Sequence, residues 1–298
     1  KCDLMTRMVG EFPELQGIMG RYYATMQGES AEVANAIDEF YQPRFAGDAI
    51  APSRLGQVLA VAEKLDTLAG MFAIGQKPTG NKDPFSLRRN ALGLARTLIE
   101  GGLDLDVNAL LREAIAAIST DALDAKANDL YDFITDRLRG YYADQGIRGD
   151  AFEAVLAVRP ASLRDFDRRI CAIDMFGKRA EAESLAAANK RIGNILRQAS
   201  EKRFAIAAGI DAALLDDGAE RALADALAAA IDDISPLLAE HRYVETMQRL
   251  AQLRPVADAF FDGVMVMVDD PAKRANRLAL LRSLRTQFLA IADIGLLG

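Results

Sequence analysis

Alanine and leucine recur at spacings of three and four residues along almost the whole chain of 298 residues. This spacing places apolar side chains on one face of an α-helix, and both residue types favour helix. Aromatic residues make up only 7% of the chain, tryptophan is absent and strand-like runs are rare. The sequence therefore predicts an all-α fold, and 51% hydrophobic residues are enough to bury a sizeable core.

Three long helices are predicted, at residues 180–203, 221–238 and 272–294. Two aspartates precede Pro271, and this order favours a helix start because carboxylates cap the first N–H groups and proline suits the first turn. The first and last of these helices carry apolar stripes that we expect to be buried. The stripes consist of Leu185, Ala188, Ile192, Ile195 and Ala199, and of Leu278, Leu281, Leu284, Phe288 and Ile291.

Glycine and proline divide the chain into two parts. Residues 1–101 contain short helices separated by many glycines and prolines, whereas residues 102–298 are built of longer helices. Two adjacent glycines mark the boundary. Within the first part, residues 55–68 form an amphipathic helix, and we expect Lys64 to lie on its polar flank.

The net charge of −7 argues against a polyanionic partner, but the charges are unevenly distributed. Five basic residues and one acidic residue lie in residues 77–96, seven and three in residues 178–203, and five and one in residues 273–298. Residues 211–240 contain eight acidic residues and one arginine. Because local patches set the field that a phosphate backbone experiences, the basic segments are candidates for nucleic-acid binding. The alternative is an ordinary solvated surface.

Two prolines and several charged groups lie together in residues 78–89, here called the proline segment. Proline disfavours helix in the residue before it, so Asp83 is expected to be non-helical, as is Lys77, and Pro84 is expected to begin a new helix. Arg88 and Arg89 would then lie in its first turns, where cations oppose the helix dipole. Helix stability does not explain them, whereas a polyanionic partner does.

Several chemistries are excluded by residue types. His241 is the only histidine, which removes histidine-rich metal sites and hydrolases that need a histidine base with a second histidine. Phosphate-binding and dinucleotide-binding glycine motifs are absent from the sequence. Cys2 and Cys171 are far apart, which is typical of a reducing compartment, and Cys171 is expected to be a buried thiol. The longest apolar run, at residues 260–268, is too short to span a bilayer. Because Lys1 begins within an apolar pattern, we expect a fragment of a longer chain.

Seven motifs follow one another in a fixed order. They are EFPELQGIMGRYYA at residues 11–24, PRFAGD at 43–48, EKLDTL at 63–68, the proline segment, NKRIGNIL at 189–196, FFDGVMVM at 260–267 and RANRLALL at 274–281. In this order they closely resemble the beta subunit of bacterial glycyl-tRNA synthetase. The resemblance covers essentially the whole chain.

The resemblance implies the C-terminal part of that subunit. Residues 1–101 would be the end of an HD-like helical domain, and residues 102–298 a helical linker with a helical-bundle anticodon-binding domain of the DALR type. Cys2 and Asp3 stand where an HD enzyme has a histidine–aspartate pair, and Phe40 stands where the family is expected to have a histidine. The resemblance therefore implies no metal site and no catalytic residue in this chain.

The resemblance also implies partners. In the family, alpha and beta subunits form an α2β2 enzyme in the cytoplasm, without membrane association. The alpha subunit holds glycine, ATP and Mg²⁺, so no cofactor is expected in this chain, and the beta subunit holds tRNA(Gly). The expected partners are tRNA(Gly), the alpha subunit and the N-terminal part of the beta subunit.

Basic and amide side chains on the predicted helices are the candidate tRNA contacts, because cations neutralise phosphates and amides or guanidinium groups read the edges of unstacked bases. Around the last helix these side chains flank the apolar stripe, so some are expected to be structural. The candidates near the anticodon are Lys190, Arg191, Asn194, Arg197, Arg274, Asn276 and Arg277. The candidates for tRNA backbone or an adjoining domain are Lys77, Lys82, Arg88 and Arg89.

Two other functions remain open from the sequence. The chain could serve as an assembly module whose patches contact the alpha subunit or the rest of the beta chain. Residual HD phosphohydrolase activity is the third reading, and it requires a bound metal ion. Binding to tRNA, co-elution with the alpha subunit and elemental analysis separate the three.

Overall fold

The computed structural model describes residues 1–45, 47–80, 82–119, 121–216 and 218–298. Ala46 and Asn81, which belong to two of the motifs above, lie outside the described residues. Fourteen α-helices and no β-strand occur in the described ranges, where Thr79 and Lys82 form a single isolated bridge. The predicted all-α fold is confirmed.

The helices are α1 (Arg7–Glu11), α2 (Ile18–Met26), α3 (Ala31–Glu39), α4 (Arg54–Ala73), α5 (Leu87–Glu100), α6 (Val107–Ala116), α7 (Leu123–Ala143), α8 (Gly149–Leu156), α9 (Leu163–Gly177), α10 (Ala182–Glu201), α11 (Ala219–Ala239), α12 (Tyr243–Ala251), α13 (Arg254–Gly263) and α14 (Pro271–Leu289). Short 3₁₀ helices cover Cys2–Met5, Pro13–Leu15, Ala212–Leu214 and Ile294–Leu296. No described helix is long and apolar enough to cross a membrane.

The chain forms two compact units. Unit 1 contains residues 1–141 and 161–164, and unit 2 contains residues 142–160 and 165–298. The boundary predicted after residue 101 falls inside unit 1, because α6 packs against α4 and the Val107 N–H donates to the Ala161 carbonyl at 2.8 Å. As a boundary between domains of the family, it stays a prediction, as does the HD-like character of residues 1–101.

The core of unit 1 is centred on α4, which packs against α3, α5 and α6. Ser53 caps α4 by accepting a hydrogen bond from the Gly56 N–H at 3.0 Å. Leu68 and Phe72 of α4 are fully buried, as is Leu98 of α5. Each buried side chain of this size contributes about 1.5–3 kcal/mol through removal of apolar surface from water.

Lys64 does not lie on the polar flank of α4, as the sequence pattern suggested. Its side chain is buried, with a relative exposure of 2%. The ammonium group donates hydrogen bonds to the carbonyls of Phe40 at 3.2 Å and Gln42 at 3.0 Å. Burial disfavours the charged form and lowers the pKa of Lys64 to about 8. Lys64 therefore joins the chain after α3 to α4.

In unit 2, α10 packs against α13, α14 and the 3₁₀ helix Ile294–Leu296, and α11 packs against α12, α13 and α14. The predicted start of α14 is confirmed: Asp270 accepts hydrogen bonds from the N–H groups of Ala272 at 2.8 Å and Lys273 at 3.2 Å. All five stripe residues of α14 are buried, and so are those of α10 except the half-buried Ile195. The prediction for Cys171 was wrong, because this thiol is exposed on α9.

Helices α10 and α14 approach each other closely at Gly193. The guanidinium group of Arg285 lies over this glycine and donates to the Asn189 carbonyl at 2.9 Å and to Asp293 at 2.7 Å. A methyl group at Gly193 would collide with Arg285. The small residue at position 193 thus leaves room for the Arg285 guanidinium group beside α10.

Candidate nucleic-acid interface

Helix α10 carries a row of polar side chains on its solvent side. Lys190, Arg191, Asn194 and Arg197 are all exposed, and we call them the α10 strip. The inward positions Leu185, Ile192 and Ala199 are almost completely buried. Because residues three and four apart share a helix face, the burial of one face leaves three cations and an amide together on the other.

Three of the four strip side chains have no hydrogen-bonding or ionic partner, or only a weakly bound one, among the described residues. The side chains of Lys190 and Asn194 make no hydrogen bond or ion pair with any residue that the structure describes. Arg197 contacts Glu201 at 2.9 Å, but both side chains are more than half exposed. Exposed pairs of this kind contribute little, about 0–1 kcal/mol, so Arg197 can exchange its partner for a phosphate.

Arg191 and Arg274 of unit 2 lie over aromatic rings, as Arg169 also does over Tyr243. The guanidinium carbon of Arg191 is 4.6 Å from the centroid of the Phe261 ring, and that of Arg274 is 4.1 Å from the centroid of Phe204. Arg274 also donates to the carbonyls of Val268 at 2.7 Å and of the following residue at 3.3 Å. Both guanidinium groups are therefore held in place by the protein.

A cavity of about 530 Å³ lies beside the N-terminal half of α10. Three basic side chains, Arg148, Arg179 and Lys190, contribute to its wall. The first two are paired with acidic neighbours, Asp150 at 3.0 Å and Glu181 at 3.4 Å. Lys190 is the member of this wall that has a solvent-facing charge without such a pair among the described residues.

Asn276 belongs to the interior of unit 2, with 1% exposure. Its side-chain oxygen accepts from the Asp211 N–H at 2.7 Å, and its amide group donates to the Asp211 carbonyl at 3.0 Å. This pair of hydrogen bonds fixes the loop before Ala212–Leu214. Since both polar ends are occupied, the interpretation of Asn276 as a tRNA contact is corrected to a structural role.

Arg277 is corrected in the same way. Its side chain is 7% exposed, and it forms a two-pronged contact with the buried Glu220 at 3.1 and 2.9 Å. It also donates to Asp216 at 2.7 Å and to the Met265 carbonyl at 2.8 Å. Four hydrogen bonds to groups inside the protein give the Arg277 side chain a structural role.

Hydrogen bonds between its own residues stabilise the proline segment. Lys77 and Asp83 are non-helical, as predicted, but α5 begins at Leu87 rather than at Pro84. The start moves because the Asp83 carboxylate accepts from the N–H groups of Leu87 at 2.8 Å and Arg88 at 3.0 Å, which caps the helix three residues later. This carboxylate also offsets the cations of the first turn.

The four basic candidates of this region differ in whether their side chains already have a partner within the described chain. Lys77 pairs with Asp129 of α7 at 2.5 Å, and Arg88 donates to the Gly80 carbonyl at 2.6 Å. The side chains of Lys82 and Arg89 are exposed and make no ion pair within the described ranges. Only this second pair presents charge to solvent without a partner in the described chain.

Residues 1–157 match the family model described as glycyl-tRNA synthetase beta subunit. This match covers more than half of the 298 residues. The chain belongs to this family. The resemblance stated from the sequence motifs is thereby confirmed.

The C-terminal part of this member of the glycyl-tRNA synthetase beta subunit family matches a second model. Residues 185–294 match the DALR anticodon binding domain. These residues include the α10 strip and the two ring-backed arginines Arg191 and Arg274. The comparison thus places the basic features of unit 2 inside a segment of a known anticodon-binding type.

Curated relatives carry the name glycine–tRNA ligase beta subunit. The protein of Xanthomonas campestris pv. campestris strain 8004 is 59% identical over 302 residues, which cover 99% of this chain and 43% of the relative. Those of Xylella fastidiosa strain 9a5c and Pseudomonas aeruginosa strain LESB58 are 50% and 49% identical, with 99% and 100% of this chain and 45% and 43% of the relatives covered. The chain therefore spans less than half the length of these relatives.

In this family member, Asp3 is part of the internal structure of unit 1. Its carboxylate accepts from the Gly17 N–H at 2.6 Å and from the Tyr41 hydroxyl at 2.9 Å. Burial, together with the hydrogen bond to this carboxylate, raises the pKa of Tyr41. No group of three or more His, Cys, Asp or Glu side chains suited to a metal ion occurs in the described ranges.

His241 and its neighbours form a hydrogen-bonded cluster in unit 2. The buried hydroxyl of Tyr243 donates to Asp165 at 2.6 Å, and His241 Nδ1 lies 3.0 Å from the same carboxylate oxygen. Arg169 contacts the other oxygen at 2.6 Å. Burial would raise the pKa of Asp165, but the hydrogen bonds from Tyr243 and Arg169 outweigh it and hold the pKa below its usual value. This cluster joins α9 to the start of α12.

Proposed function

We propose that this chain is the tRNA-binding part of the beta subunit of a bacterial glycine–tRNA ligase. The enzyme attaches glycine to tRNA(Gly) with ATP, and the chemistry takes place on the alpha subunit. The observation that carries the proposal is the α10 strip, an exposed row of three cations and an amide within the segment that matches an anticodon-binding domain. The family membership and the names of the relatives support it.

The strip has the chemistry that a single-stranded RNA loop requires. Lysine and arginine neutralise phosphates, and an amide offers a donor and an acceptor to a base edge. The cavity beside Lys190 provides space for a base that is turned out of the RNA loop. Proteins that recognise RNA sequence bind unstacked bases of this kind. Because the net charge of the chain is −7, binding depends on this local patch rather than on the total charge.

The proposal includes the wider enzyme. The alpha subunit binds glycine, ATP and Mg²⁺, so this chain contributes no cofactor ligand and no catalytic residue. The alpha subunit and the N-terminal part of the beta subunit are its protein partners in an α2β2 assembly in the cytoplasm. Lys82 and Arg89, the available cations of the proline segment, contact tRNA backbone or an adjoining domain.

Alanine at Lys190 is expected to weaken binding of tRNA(Gly) to the complete enzyme. The loss follows from one phosphate contact, so the slope of log K against log salt falls by about 1 in magnitude. Filter binding at several salt concentrations measures both quantities. The matched control is Arg242→Ala, since Arg242 is exposed but paired with Glu240 and Glu245 on another helix of unit 2. Equal salt slopes for the wild type and the Lys190 variant would contradict the proposal.

An assembly role is favoured by one observation in unit 1. Met8, Phe12 and Tyr23 line an open groove, and Phe12 is 50% exposed. Met5 and Met26 are exposed to 89% and 84% in the elements next to it. Apolar exposure of this kind marks protein contacts. We propose that this groove contacts the alpha subunit, in addition to the RNA role of unit 2.

Aspartate at Phe12 is expected to abolish co-elution of the full-length beta subunit with the alpha subunit in sizing chromatography, because a charge in the groove would have to be desolvated on binding. Phe45→Asp is the matched control, since Phe45 is an exposed phenylalanine of the same unit that lies outside the groove and the proline segment. Co-elution of the Phe12 variant with unchanged affinity would remove the groove from the alpha interface and leave the RNA role untouched.

A further inference from the structure

Two arginines of unit 2 that have no acidic partner among the described residues are each backed by an aromatic ring, Arg191 on Phe261 and Arg274 on Phe204. We propose that the outward faces of these two guanidinium groups are stacking platforms for unstacked nucleobases of the bound RNA loop. The inference rests on the proposed function, because it assumes that unit 2 binds RNA. It assigns base stacking, as distinct from phosphate neutralisation, to named residues.

The Arg191 platform is built from the inside outwards. Phe260 is fully buried, and its ring meets that of Phe261 edge-on at 5.5 Å, which orients Phe261. The guanidinium group of Arg191 then lies over Phe261, with its centre 4.6 Å from the ring centroid. A guanidinium that rests on a ring is planar and fixed, so little conformational entropy is lost when a base covers its other face.

The Arg274 platform is anchored on both sides. Phe204 follows α10 and is held by a hydrogen bond from its N–H to the Ala199 carbonyl at 2.9 Å. Arg274 lies over this ring at 4.1 Å while one of its nitrogens donates to the Val268 carbonyl. Lys202 also approaches the same ring, at 6.0 Å. The charge is thus fixed beside a second cation.

Neither arginine has an acidic partner within the part of the chain that the structure describes. This distinguishes them from Arg197, which pairs with Glu201, and from Arg277, which pairs with Glu220. An unpaired guanidinium fixed on a ring offers positive charge and a flat face at once.

Flat cationic faces suit the bases of a single-stranded loop. Such bases are splayed from their own stack and are bound by stacking on aromatic rings or guanidinium planes. Each stacked base contributes about 1–3 kcal/mol, irrespective of sequence. Lysine retains the charge but has no flat face, so an arginine-to-lysine exchange separates stacking from charge neutralisation.

The test uses the complete enzyme and an RNA hairpin that carries the anticodon loop of tRNA(Gly), together with versions that have one abasic loop position each. Arg191→Lys is expected to weaken binding of the intact hairpin by about 5- to 150-fold, as the loss of one stacked base predicts. The salt slope should stay unchanged because the charge is kept. One abasic hairpin should bind the wild type and the variant equally, since the stacked base is already absent.

Three further variants complete the design. Phe261→Leu keeps the apolar support but removes the ring, and it should reproduce the effect of Arg191→Lys on the same abasic hairpin. Arg242→Lys changes an exposed arginine of unit 2 that lies outside the strip and is paired with Glu240 and Glu245, and it should bind within about twofold of the wild type. Arg274→Lys is expected to behave as Arg191→Lys does, with a different loop position.

Three results would overturn the inference. Equal binding of the wild type and Arg191→Lys to the intact hairpin would show that only charge matters at this position. An equal loss on the intact and on every abasic hairpin would show that no base stacks there. If the wild type does not bind the hairpin, the proposed RNA role itself fails, and the inference fails with it.

Discussion

Leucine at Arg277 is expected to lower the free energy of unfolding of the full-length chain by about 3–5 kcal/mol, the cost of removing one partner from a buried ion pair. The reason is Glu220, whose side chain is 1% exposed and would be left charged and without its partner. One oxygen of this carboxylate already lacks a hydrogen bond among the described residues. The loss of Arg277 would therefore add to an existing shortage of hydrogen bonds at a buried charge. Urea unfolding followed by circular dichroism measures the change.

The double variant Glu220→Leu with Arg277→Leu should recover most of this loss. Replacing both members of a buried pair by apolar side chains removes the uncompensated charge and is often neutral. Arg282→Leu on the same helix is the control, because Arg282 donates to the backbone carbonyls of Ala207 and Ala208 and leaves no carboxylate behind. If Arg277→Leu unfolds like the wild type and instead loses affinity for tRNA, the structural assignment of Arg277 is wrong.

The outcome at Arg277 shows what a helical wheel can and cannot tell. The wheel correctly placed the stripe of α14 in the core, because burial depends on the spacing of apolar residues along one helix. It placed Arg277 beside this stripe but could not show that a neighbouring element buries it. The burial of Arg277 depends on its ion pair with Glu220, which is 57 positions away in the sequence. The acidic residues at 211–240 next to a basic C-terminal segment were the available signal, and two of them, Asp216 and Glu220, are the partners of Arg277.

The α10 strip was predictable for the opposite reason. Its members lie opposite a regular apolar face, and nothing in the described chain covers them. The aromatic support beneath Arg191 was not predictable, because Phe261 comes from α13, whose packing against α10 has no sequence signature. Local periodicity thus predicts which side chains of a helix face outward, whereas only tertiary structure shows which of them are held rigid.

Lys64 was misplaced although the sequence contained a signal. It lies four residues after Ala60 and four before Leu68, and both are fully buried. A position between two core residues on one helix face is buried with them, whatever its side chain. The expectation that a lysine reaches solvent was outweighed here by the two backbone carbonyls that accept its hydrogen bonds.

The burial of Lys64 makes stability depend on pH in a defined direction. Its pKa falls from the ordinary value of 10.5 to about 8 in the folded chain. Between these two values the unfolded chain binds more protons than the folded chain, so the contribution of Lys64 to stability rises with pH. It is largest above pH 10.5 and is lost as the pH falls through the window to 8.

The difference in unfolding free energy between the wild type and Lys64→Met is therefore expected to change in favour of the wild type by about 3 kcal/mol from pH 7.5 to 10.5, as the size of the pKa change requires. Urea unfolding at fixed ionic strength across this range measures it, and taking the difference cancels all other titrating groups. Lys82→Met is the control for the loss of a lysine that is exposed in the same unit. A flat profile for Lys64→Met would mean that the ammonium group remains hydrated in the folded protein, with water replacing the Phe40 and Gln42 carbonyls as its partners.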